Sequence, residues 1–347
     1  MLSIKEHLVN GYETVIEAED RETNLHCFIA IHNTHRGPAL GGVRIYPYKG
    51  EKEALEDVLR LSRAMTAKSS LAELSLGGGK SVIIADPKKD KTPAMLRSFG
   101  EVINSLKGSY IVAEDVGSSA EDMLIIREKT PYVVALPTER SSGDPSPFTA
   151  FGVLKGMEAA AKKLFGSASL LTRAVAIQGL GHVGHCLAEQ LFWAGAKVYI
   201  ADIDEEKARH FAKKWGAIAV SPSEIHRVPC DIFSPCALGG VLNPQSIKEL
   251  NCLAVVGSAN NQLLSDDDDK LLFERKILYA PDFIINAGGL INVSEELSPM
   301  GYNPANAISK IRKIFDTATV VFYRSEKEKR GTGSIALELA MENLKKR

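Results

Sequence analysis

The sequence predicts an α/β protein of two domains, and three observations lead to this prediction. A length of 347 residues suits about two domains of ordinary size, each able to bury its own core. From residue 173 onward, short apolar runs alternate regularly with stretches of helical spacing, which is typical of a doubly wound parallel sheet. A stretch rich in serine, proline and glycine at 139–152 precedes this regular part. We therefore expect one domain over 1–140 and a second over 141–324, with a C-terminal helix of about 325–347 joining the first.

The composition excludes several classes of protein. Hydrophobic residues make up 45% of the chain and charged residues 24%, with a formal net charge of −1, so a nucleic-acid partner is not expected. No apolar run is long enough for a membrane helix, and the first residues, MLSIKEHLVNGYE, lack a secretory signal, so we expect a cytosolic protein without a membrane partner. Five scattered cysteines predict free thiols. His182 and His185 form one i,i+3 pair, but no carboxylate or cysteine with ligand spacing joins them, so no metal site is expected.

The first domain mixes candidate strands and helices. The strand candidates are ETVIEAED, NLHCFIAIH, SVIIAD, SYIVAED and YVVAL, in which β-branched residues are frequent. The segment 51–68 has apolar residues at helical spacing and predicts a helix. Glycines at 37–44, in GPALGGVR, predict a loop, and the triple glycine at 77–79 predicts a turn that leads into the strand SVIIAD.

The second domain is more regular. A helix is predicted over about 148–164, and the later part of the chain, beyond residue 305, is also helical by pattern. Between them, the strand candidates are RAVAIQ, KVYIAD, CDIFSPC, LAVVGSAN and ILYAPDFIINAGG, and the helix candidates are HCLAEQLFWAG and EEKARHFAKKW.

A glycine pattern with a known physical role follows the strand RAVAIQ. Gly179, Gly181 and Gly184 form G-x-G-x-x-G between a strand and a helix, and Asp202 ends the next strand. In such a turn the glycines permit a tight bend, a close approach of the pyrophosphate to the helix N-terminus, and close packing of helix on strand. The acid accepts hydrogen bonds from the adenosine ribose and repels a 2′-phosphate. The pattern predicts a Rossmann-type domain that binds NAD rather than NADP; the alternative is a glycine-rich turn in another α/β domain.

Lys80 follows the triple glycine in LSLGGGKS, which ends like a phosphate-binding P-loop. The P-loop would need glycine at position 74, where this chain has Leu74, and a helix rather than a strand after the lysine. A phosphotransferase is therefore disfavoured. With Lys68 at a helix end and Asp115 at a strand end, Lys80 could instead line a cleft. Two ammonium groups held close together lower the pKa of one of them, which then serves as a base while the other binds a carboxylate. The commoner alternative is three separate surface charges.

Several segments taken together resemble one family. They resemble the amino-acid dehydrogenases of the glutamate, leucine, phenylalanine and valine group, most closely the leucine-specific members. The resemblance extends over nearly the whole chain in the family's order. It rests on GPALGGVRIYPY at 37–48, RLSRAMTAKSSLAELSLGGGKSVI at 60–83, AEDVGSS at 113–119, SGDPSPFTAFGV at 142–153, GLGHVG at 179–184, CDIFSPCALGGVLN at 230–243, GSANNQL at 257–263 and PDFIINAGGLINV at 281–293.

The resemblance implies roles for particular residues. It implies that Lys68 binds the substrate carboxylate with the backbone amides of Gly41 and Gly42. Lys80 is then the general base for the water that attacks an imine, and Asp115 carries protons to and from the amino group. The implied cofactor contacts are Leu180, His182 and Val183 within GLGHVG, Thr149 at the nicotinamide carboxamide, Ala237 and Asn260, with Asn261 at the substrate.

The resemblance also implies a reaction and a substrate. Leu40, Ala113, Leu290 and Val293 would line the side-chain pocket, and all four are aliphatic. We expect NAD-dependent, reversible oxidative deamination of a branched-chain L-amino acid (leucine, also valine and isoleucine) to the 2-oxo acid and ammonia. Phenylalanine dehydrogenase activity is the chief alternative. A 2-hydroxy-acid dehydrogenase or an inactive NAD-binding protein would be less consistent with the lysines. A homo-oligomer, and an octamer in particular, is expected.

Overall fold

The computed structural model describes residues 1–138 and 141–345, and the chain divides into two compact units. The first unit contains the described residues of Met1–Gly143, Val293–Asn303 and Ala340–Arg347, and the second contains Asp144–Asn292 and Pro304–Leu339. None of the described helices is both long and apolar enough to span a membrane.

The described part of the first unit is built on a mixed six-stranded sheet. Its strand order is β1-β2-β3-β5-β4-β6, with β4 parallel to both β5 and β6 and the remaining pairs antiparallel. The antiparallel pair predicted from ETVIEAED and NLHCFIAIH is confirmed as β2 and β3. The elements are β1 Ser3–Glu6, β2 Thr14–Asp20, β3 Leu25–Asn33, β4 Ala39–Tyr46, α1 Glu51–Leu71, β5 Gly77–Ile84, α2 Pro93–Ser105, β6 Tyr110–Glu114 and α3 Ala120–Arg127.

Helices cover both faces of this sheet. On one face, Phe99 of α2 packs in a cluster with Tyr110 and neighbouring aliphatic side chains. On the other face, Val58 of α1 packs with Phe28 of β3 and Val82 of β5. A sheet covered on both faces has strands that are apolar throughout, so a charged residue in its middle requires a specific partner.

Two glycine-rich segments predicted as a loop and a turn are strands in the structure. GPALGGVR lies mostly in β4, and the triple glycine at 77–79 is the start of β5. The glycines are needed for close packing: a Cβ on Gly78 would overlap the backbone nitrogen of Thr66 in α1, and a Cβ on Gly41 would overlap the carbonyl oxygen of Gly79. The prediction was wrong because glycine marks close backbone contact as well as turns.

Two predicted strands are shorter than expected. Residues 132–136, YVVAL, form only an isolated bridge between Val133 and Val112 of β6. In ILYAPDFIINAGG only Leu278–Tyr279 is strand, and two short helices follow it. Both segments are apolar because they are buried, and a buried apolar run does not by itself distinguish strand from helix.

The second unit contains a parallel sheet of six strands within the described residues. Its order is β12-β11-β10-β7-β8-β9, and every pair is parallel, which confirms the predicted doubly wound fold. The elements that begin in this unit are α4 Ser146–Phe165, β7 Ala174–Gln178, α5 His182–Trp193, β8 Lys197–Ala201, α6 Glu205–Trp215, β9 Ile218–Ala219, β10 Cys230–Pro235, α7 Pro244–Glu249, β11 Cys252–Val255, α8 Asp267–Glu274, β12 Leu278–Tyr279, α9 Asp282–Ile285, α10 Gly288–Ser294, α11 Pro304–Arg312, α12 Ile314–Glu328 and α13 Thr332–Lys345.

Two later segments of the chain belong to the first unit and are hydrogen-bonded within it. The Glu296 carboxylate accepts the backbone N–H groups of Ala135 at 3.0 Å and Ser142 at 2.8 Å. Near the end of α13, the Ala340 carbonyl accepts the Ser70 hydroxyl at 2.7 Å. These bonds fix segments that are distant in sequence, and this part of the architecture has no local sequence pattern.

The contact between α1 and β5 is expected to depend on Gly78. In Gly78→Ala the new methyl group must push α1 away from β5, so we expect a loss of roughly 3 kcal/mol in the free energy of unfolding. Gly50→Ala is the matched control, because a Cβ at Gly50 has no atom within 4 Å and φ is 171° there. Urea unfolding at fixed protein concentration measures both. Equal stability of the two variants would contradict the packing role of Gly78.

Candidate active site

The first unit holds an ion pair between a buried lysine of its sheet and a partly buried aspartate at the end of a neighbouring strand. Lys80 is in β5 opposite Ala30, and its side chain projects from the same face as Gly78 and Val82, the face covered by α1. Lys80 is 6% exposed, and its Nζ lies 2.7 Å from Oδ2 of Asp115. Asp115 directly follows β6, so the pair spans β4, which lies between β5 and β6. The structure thus brings together two of the three predicted ionisable residues.

Gly42 in β4 makes room for this pair. A Cβ on Gly42 would lie 2.7 Å from the Asp115 Cβ and 2.6 Å from the Glu114 carbonyl oxygen. Any larger residue would therefore displace the carboxylate. The backbone of Asp115 is also fixed, since its N–H donates to Ser118 Oγ at 2.9 Å and that hydroxyl donates to the Val43 carbonyl at 2.8 Å.

The Asp115 carboxyl is ionised at neutral pH. Burial alone would raise its pKa, but the charges of Lys80 and Arg44 outweigh burial and lower the pKa to about 2. A carboxylate with such a pKa is a poor proton carrier at pH 7 for as long as both cations remain beside it. Any proton transfer through Asp115 must therefore be coupled to a change in one of these cations.

Arg44 is a site residue that the sequence analysis missed. Its Nε lies 3.3 Å from Asp115 Oδ2, and its Nη1 lies 3.0 Å from Oδ2 of Asp57 in α1. Arg44 is the arginine of GPALGGVR, which was predicted as a loop. Had the segment been assigned to a strand, alternation would have placed Arg44 on the same face as Gly42.

Gly41 is held by a buried aromatic hydroxyl. The Tyr110 hydroxyl donates to the Gly41 carbonyl at 2.9 Å and lies 3.0 Å from Ser81 Oγ. Strands β4 and β5 pair at Leu40 with Gly78 and next at Val43 with Ser81. The Gly41 carbonyl lies between these two pairs, and Tyr110 is its hydrogen-bond donor. This bond fixes the peptide between Gly41 and Gly42.

The other predicted substrate residues of the first unit lie on α1, β4, β6 and α10. Lys68 is in the last turn of α1 and partly buried, two residues after Thr66, which faces Gly78. Leu40 in β4 is buried, and Ala113 in β6 is partly buried. Val293, in α10, is buried. Their roles toward a substrate stay predictions.

The glycine turn of the second unit has the geometry that its pattern predicts. Gly179 has φ of 97°, its N–H donates to the Ala201 carbonyl at 2.7 Å, and a Cβ there would lie 2.8 Å from the Ala237 Cβ. A Cβ on Gly184 would overlap the Gly179 carbonyl oxygen, so helix α5 packs closely on the turn. The turn places Ala237, two residues after the end of β10, beside Gly179.

Gly181 differs from the other two glycines. A Cβ on Gly181 would have no protein atom within 4 Å, and its φ of −59° is open to any residue. The fold itself therefore does not require glycine at this position. Gly181 stands just before α5, whose first residues His182 and Val183 are exposed and partly buried. An open helix N-terminus without a side chain fits the pyrophosphate of a dinucleotide.

Asp202 is fixed by backbone donors at the end of β8. The Leu180 N–H donates to its Oδ2 at 2.6 Å and the Asp204 N–H donates to its Oδ1 at 3.0 Å. Each carboxylate oxygen keeps a further lone pair for a ribose hydroxyl. The residues of this turn therefore fit the adenosine half of a dinucleotide.

The remaining predicted cofactor residues lie at three places in the second unit. In α4, Thr149 Oγ1 donates to the Pro145 carbonyl at 3.0 Å. Asn260 Oδ1 accepts from Asn286 Nδ2 at 2.8 Å. Asn261 has φ of 52°, and its N–H donates to Asp282 Oδ2 at 2.8 Å. Asn286 and Asp282 thus fix the loop that contains Asn260 and Asn261. The sequence analysis did not name these two residues. Leu290 lies partly buried in α10.

These two sites together define a class of protein. The parallel sheet with its glycine turn and terminal acid is typical of oxidoreductases that bind a dinucleotide. The ion pair of the first unit adds a lysine and an aspartate, residue types that can act as base and acid in the proton transfers that accompany hydride transfer from an amine or alcohol carbon.

Comparison with known proteins identifies the family. Residues 8–132 match the family described as Glu/Leu/Phe/Val dehydrogenase, dimerisation domain, and residues 200–342 match the Glutamate/Leucine/Phenylalanine/Valine dehydrogenase family. A leucine dehydrogenase of Thermoactinomyces intermedius is 51% identical over 312 residues, 90% of this chain and 85% of the relative. A phenylalanine dehydrogenase of Caldalkalibacillus thermarum is 45% identical, covering 98% and 93%. The crystal structure of L-tryptophan dehydrogenase from Nostoc punctiforme superposes with a TM-score of 0.85 at 39% identity, covering 96% of each chain.

The chain belongs to the Glu/Leu/Phe/Val dehydrogenase family, as its motifs predicted. It is an amino-acid dehydrogenase, an oxidoreductase that acts on a CH–NH2 group by oxidative deamination. Membership of this family implies a nicotinamide cofactor. The match of the first region to a dimerisation domain indicates an oligomeric protein.

Proposed function

We propose that this protein is an NAD-dependent dehydrogenase that reversibly deaminates branched-chain L-amino acids, with leucine as substrate and valine and isoleucine accepted as well. The observation that carries this proposal is the ion pair of Lys80, which is buried in an apolar sheet, with Asp115, which is partly buried at the end of β6. A charged pair in such a place costs desolvation energy, and a catalytic use accounts for its presence. Relatives named leucine dehydrogenase, at up to 51% identity, support the substrate class.

The proposed reaction assigns a task to each residue of the first unit. Lys68 and the backbone amides of Gly41 and Gly42 bind the substrate carboxylate. Bound NAD would supply the hydride acceptor for Cα; loss of that hydride and of a proton from the amino group converts the amino acid to an imine. Lys80 in its neutral form takes a proton from the water that attacks the imine carbon. In the resulting carbinolamine, a proton is added to the nitrogen and the hydroxyl proton is lost, so that the C–N bond breaks, ammonia leaves and the 2-oxo acid remains.

The proton balance between Lys80 and Asp115 is coupled by their contact. The Asp115 pKa is low because two cations outweigh burial. When Lys80 is neutral, one of these cations is gone, and the Asp115 pKa rises. Asp115 can then accept a proton from the substrate amino group and return it later. The 2.7 Å contact thus makes the two groups act in sequence.

The substrate preference rests on aliphatic residues. Leu40, Ala113 and Val293 of the first unit are proposed to contact the substrate side chain, and none can pair with a second carboxylate, which disfavours glutamate. Leu290 and Asn261 of the second unit are proposed substrate contacts on the resemblance. Discrimination between aliphatic chains of similar size is worth only about 1–3 kcal/mol, so several branched substrates are expected to react. Phenylalanine is the second candidate substrate, supported by the phenylalanine dehydrogenase at 45% identity.

The second unit is proposed to bind NAD. Residues 179–184 hold the pyrophosphate, and Asp202 accepts the ribose hydroxyl and repels the 2′-phosphate of NADP. Thr149, Ala237 and Asn260 are proposed to contact the nicotinamide half. The domain roles, substrate binding and oligomerisation before residue 141 and NAD binding after it, remain predictions, as do the octamer and the cytosolic location.

The substrate proposal predicts a ranking of initial rates. We expect NAD reduction with leucine, valine and isoleucine to exceed that with phenylalanine or glutamate by at least about tenfold in kcat/KM. NADP should replace NAD poorly. In the reverse direction, NADH oxidation with 2-oxoisocaproate should require ammonium, and oxidation without ammonium would instead indicate a 2-hydroxy-acid dehydrogenase. A preference for phenylalanine would overturn the branched-chain assignment.

Lys80 is predicted to be essential for chemistry and not for cofactor binding. Lys80→Ala should lower kcat for leucine deamination by roughly 10²–10⁴-fold, the usual contribution of a general base. NADH binding, followed by fluorescence titration, should be unchanged. Lys52→Ala, at a side chain that is 91% exposed, is the control and should keep full activity. Wild-type activity in Lys80→Ala would rule out the proposed base.

Gly181 is predicted to matter for the cofactor and not for the fold. In Gly181→Ala the methyl group has free space in the protein, so the free energy of unfolding should stay within about 0.5 kcal/mol of the unmodified value. The same methyl group would stand where the pyrophosphate approaches, so the Kd for NADH should rise at least about tenfold. Calorimetric titration with NADH measures this, and an unchanged Kd would place the pyrophosphate elsewhere.

A further inference from the structure

Arg44 lies between two carboxylates on the α1 face of the sheet. Its Nε contacts Asp115 Oδ2 at 3.3 Å, and its Nη1 contacts Asp57 Oδ2 at 3.0 Å. The Arg44 side chain is 18% exposed. One guanidinium therefore connects the end of β6 to helix α1, the helix that carries Lys68. We call these three residues, Arg44, Asp57 and Asp115, the arginine bridge.

The Asp57 end of the arginine bridge is itself fixed. The Tyr48 hydroxyl donates to Asp57 Oδ2 at 2.7 Å, and Arg60 Nη2 lies 2.8 Å from Asp57 Oδ1. Burial would raise the Asp57 pKa, but the Tyr48 hydrogen bond and the two arginines lower it. Asp57 is thus an anion with full hydrogen bonding, and it holds Arg44 in one orientation.

We propose that Arg44 is a positioning residue of the deamination reaction, which holds the Asp115 carboxyl group in place while Lys80 changes its protonation state. The inference rests on the proposed function, because it takes Asp115 as a proton carrier. It goes beyond that function in assigning a role to Arg44 and to its anchor Asp57.

The geometry explains why two cations serve one oxygen. Asp115 Oδ2 accepts from both Lys80 and Arg44. A lysine that acts as a base must lose its proton, and its hold on Asp115 weakens at that moment. Arginine does not lose its proton in proteins, so its charge stays beside Asp115 throughout. Its planar fork also contacts Asp57 at the same time, which an ammonium group cannot do with the same rigidity.

The charged groups around Asp115 predict that loss of the Arg44 charge and loss of the Asp57 charge change the Asp115 pKa in opposite directions. Lys80 from β5 and Arg44 from β4 contact it, and Asp57 and Arg60 from α1 lie behind Arg44. Removing the Arg44 charge raises the Asp115 pKa. Removing the Asp57 charge leaves Arg44 with Asp115 alone and lowers that pKa further. A purely structural role for Arg44 predicts no such opposition.

The experiment compares Arg44→Gln, Arg44→Lys and Asp57→Asn in the full-length enzyme, with kcat/KM for leucine and NAD measured from pH 5.5 to 10.5. In Arg44→Gln we expect kcat/KM at the optimum to fall roughly 10- to 100-fold, the loss of one charge-assisted hydrogen bond. The acid limb of its profile should also move to higher pH, because Asp115 is protonated more readily. NADH binding should not change.

The other two variants separate charge from geometry. Arg44→Lys keeps a positive charge, so its acid limb should return towards that of the unmodified enzyme while its kcat stays lowered. Asp57→Asn should lower kcat with an acid limb that stays in place or moves to lower pH. Thermal unfolding and NADH titration identify any variant that fails to fold. If Arg44→Gln is such a variant, Asp57→Asn carries the test, since a shift of its acid limb to higher pH overturns the proposal.

Two further results would decide the matter against Arg44. An unchanged pH profile in folded Arg44→Gln shows that the bridge does not act on Asp115. An equal shift of the acid limb to higher pH in Arg44→Gln and Asp57→Asn shows that both variants act by disturbing the local structure and not through the charge of Arg44. If the unmodified enzyme does not reduce NAD with any amino acid, the proposed function itself fails, and that outcome is visible before any variant is made.

Discussion

The ion pair of Lys80 and Asp115 depends on the exclusion of side chains from the strand between them. A sheet covered on both faces can hold an ammonium and a carboxylate only if they meet, because burying either one alone costs several kcal/mol. They meet across β4, and β4 can lie between them because Gly41 and Gly42 have no side chains. The contact between the two charges thus requires both the position of β4 between β5 and β6 and the glycines of β4. The pair itself adds little to stability, and chemistry accounts for it better.

How much of this could be predicted from the sequence differs between the two units. The geometry of the glycine turn and the position of Asp202 beside it were predicted correctly because all of their parts lie within one strand–helix–strand unit, where spacing determines geometry. Lys80 and Asp115 were predicted as neighbours only from their positions at element ends. Arg44 and Asp57 were missed, since their contact requires β4 to insert between β5 and β6. Insertion of a strand between two others is a non-local property that no periodicity within 37–48 encodes.

The errors in the first unit have one physical cause. Glycine is found in turns because it tolerates positive φ, and in packed strands because it has no Cβ. Gly78 and Gly41 belong to the second kind, and none of the glycines at 41, 42 and 77–79 has positive φ. Local sequence does not distinguish the two kinds, whereas the neighbouring backbone does. The same reasoning explains why Gly181 stands out, since neither φ nor packing requires glycine there.

The hydrogen bond from Tyr110 to Gly41 has a consequence for engineering. It joins the floor of the proposed site to the core on the opposite face, so the backbone of β4 cannot shift to accept a larger side chain at 41 or 42. In a mutant library aimed at new substrates, substitutions at positions 41, 42, 78 and 79 are expected to disrupt the packing of the sheet and yield few folded variants. Randomising Leu40 and Ala113 instead leaves the four glycines intact. Such a library would change the proposed side-chain pocket while Lys80 and Asp115, the proposed base and acid, keep their contact.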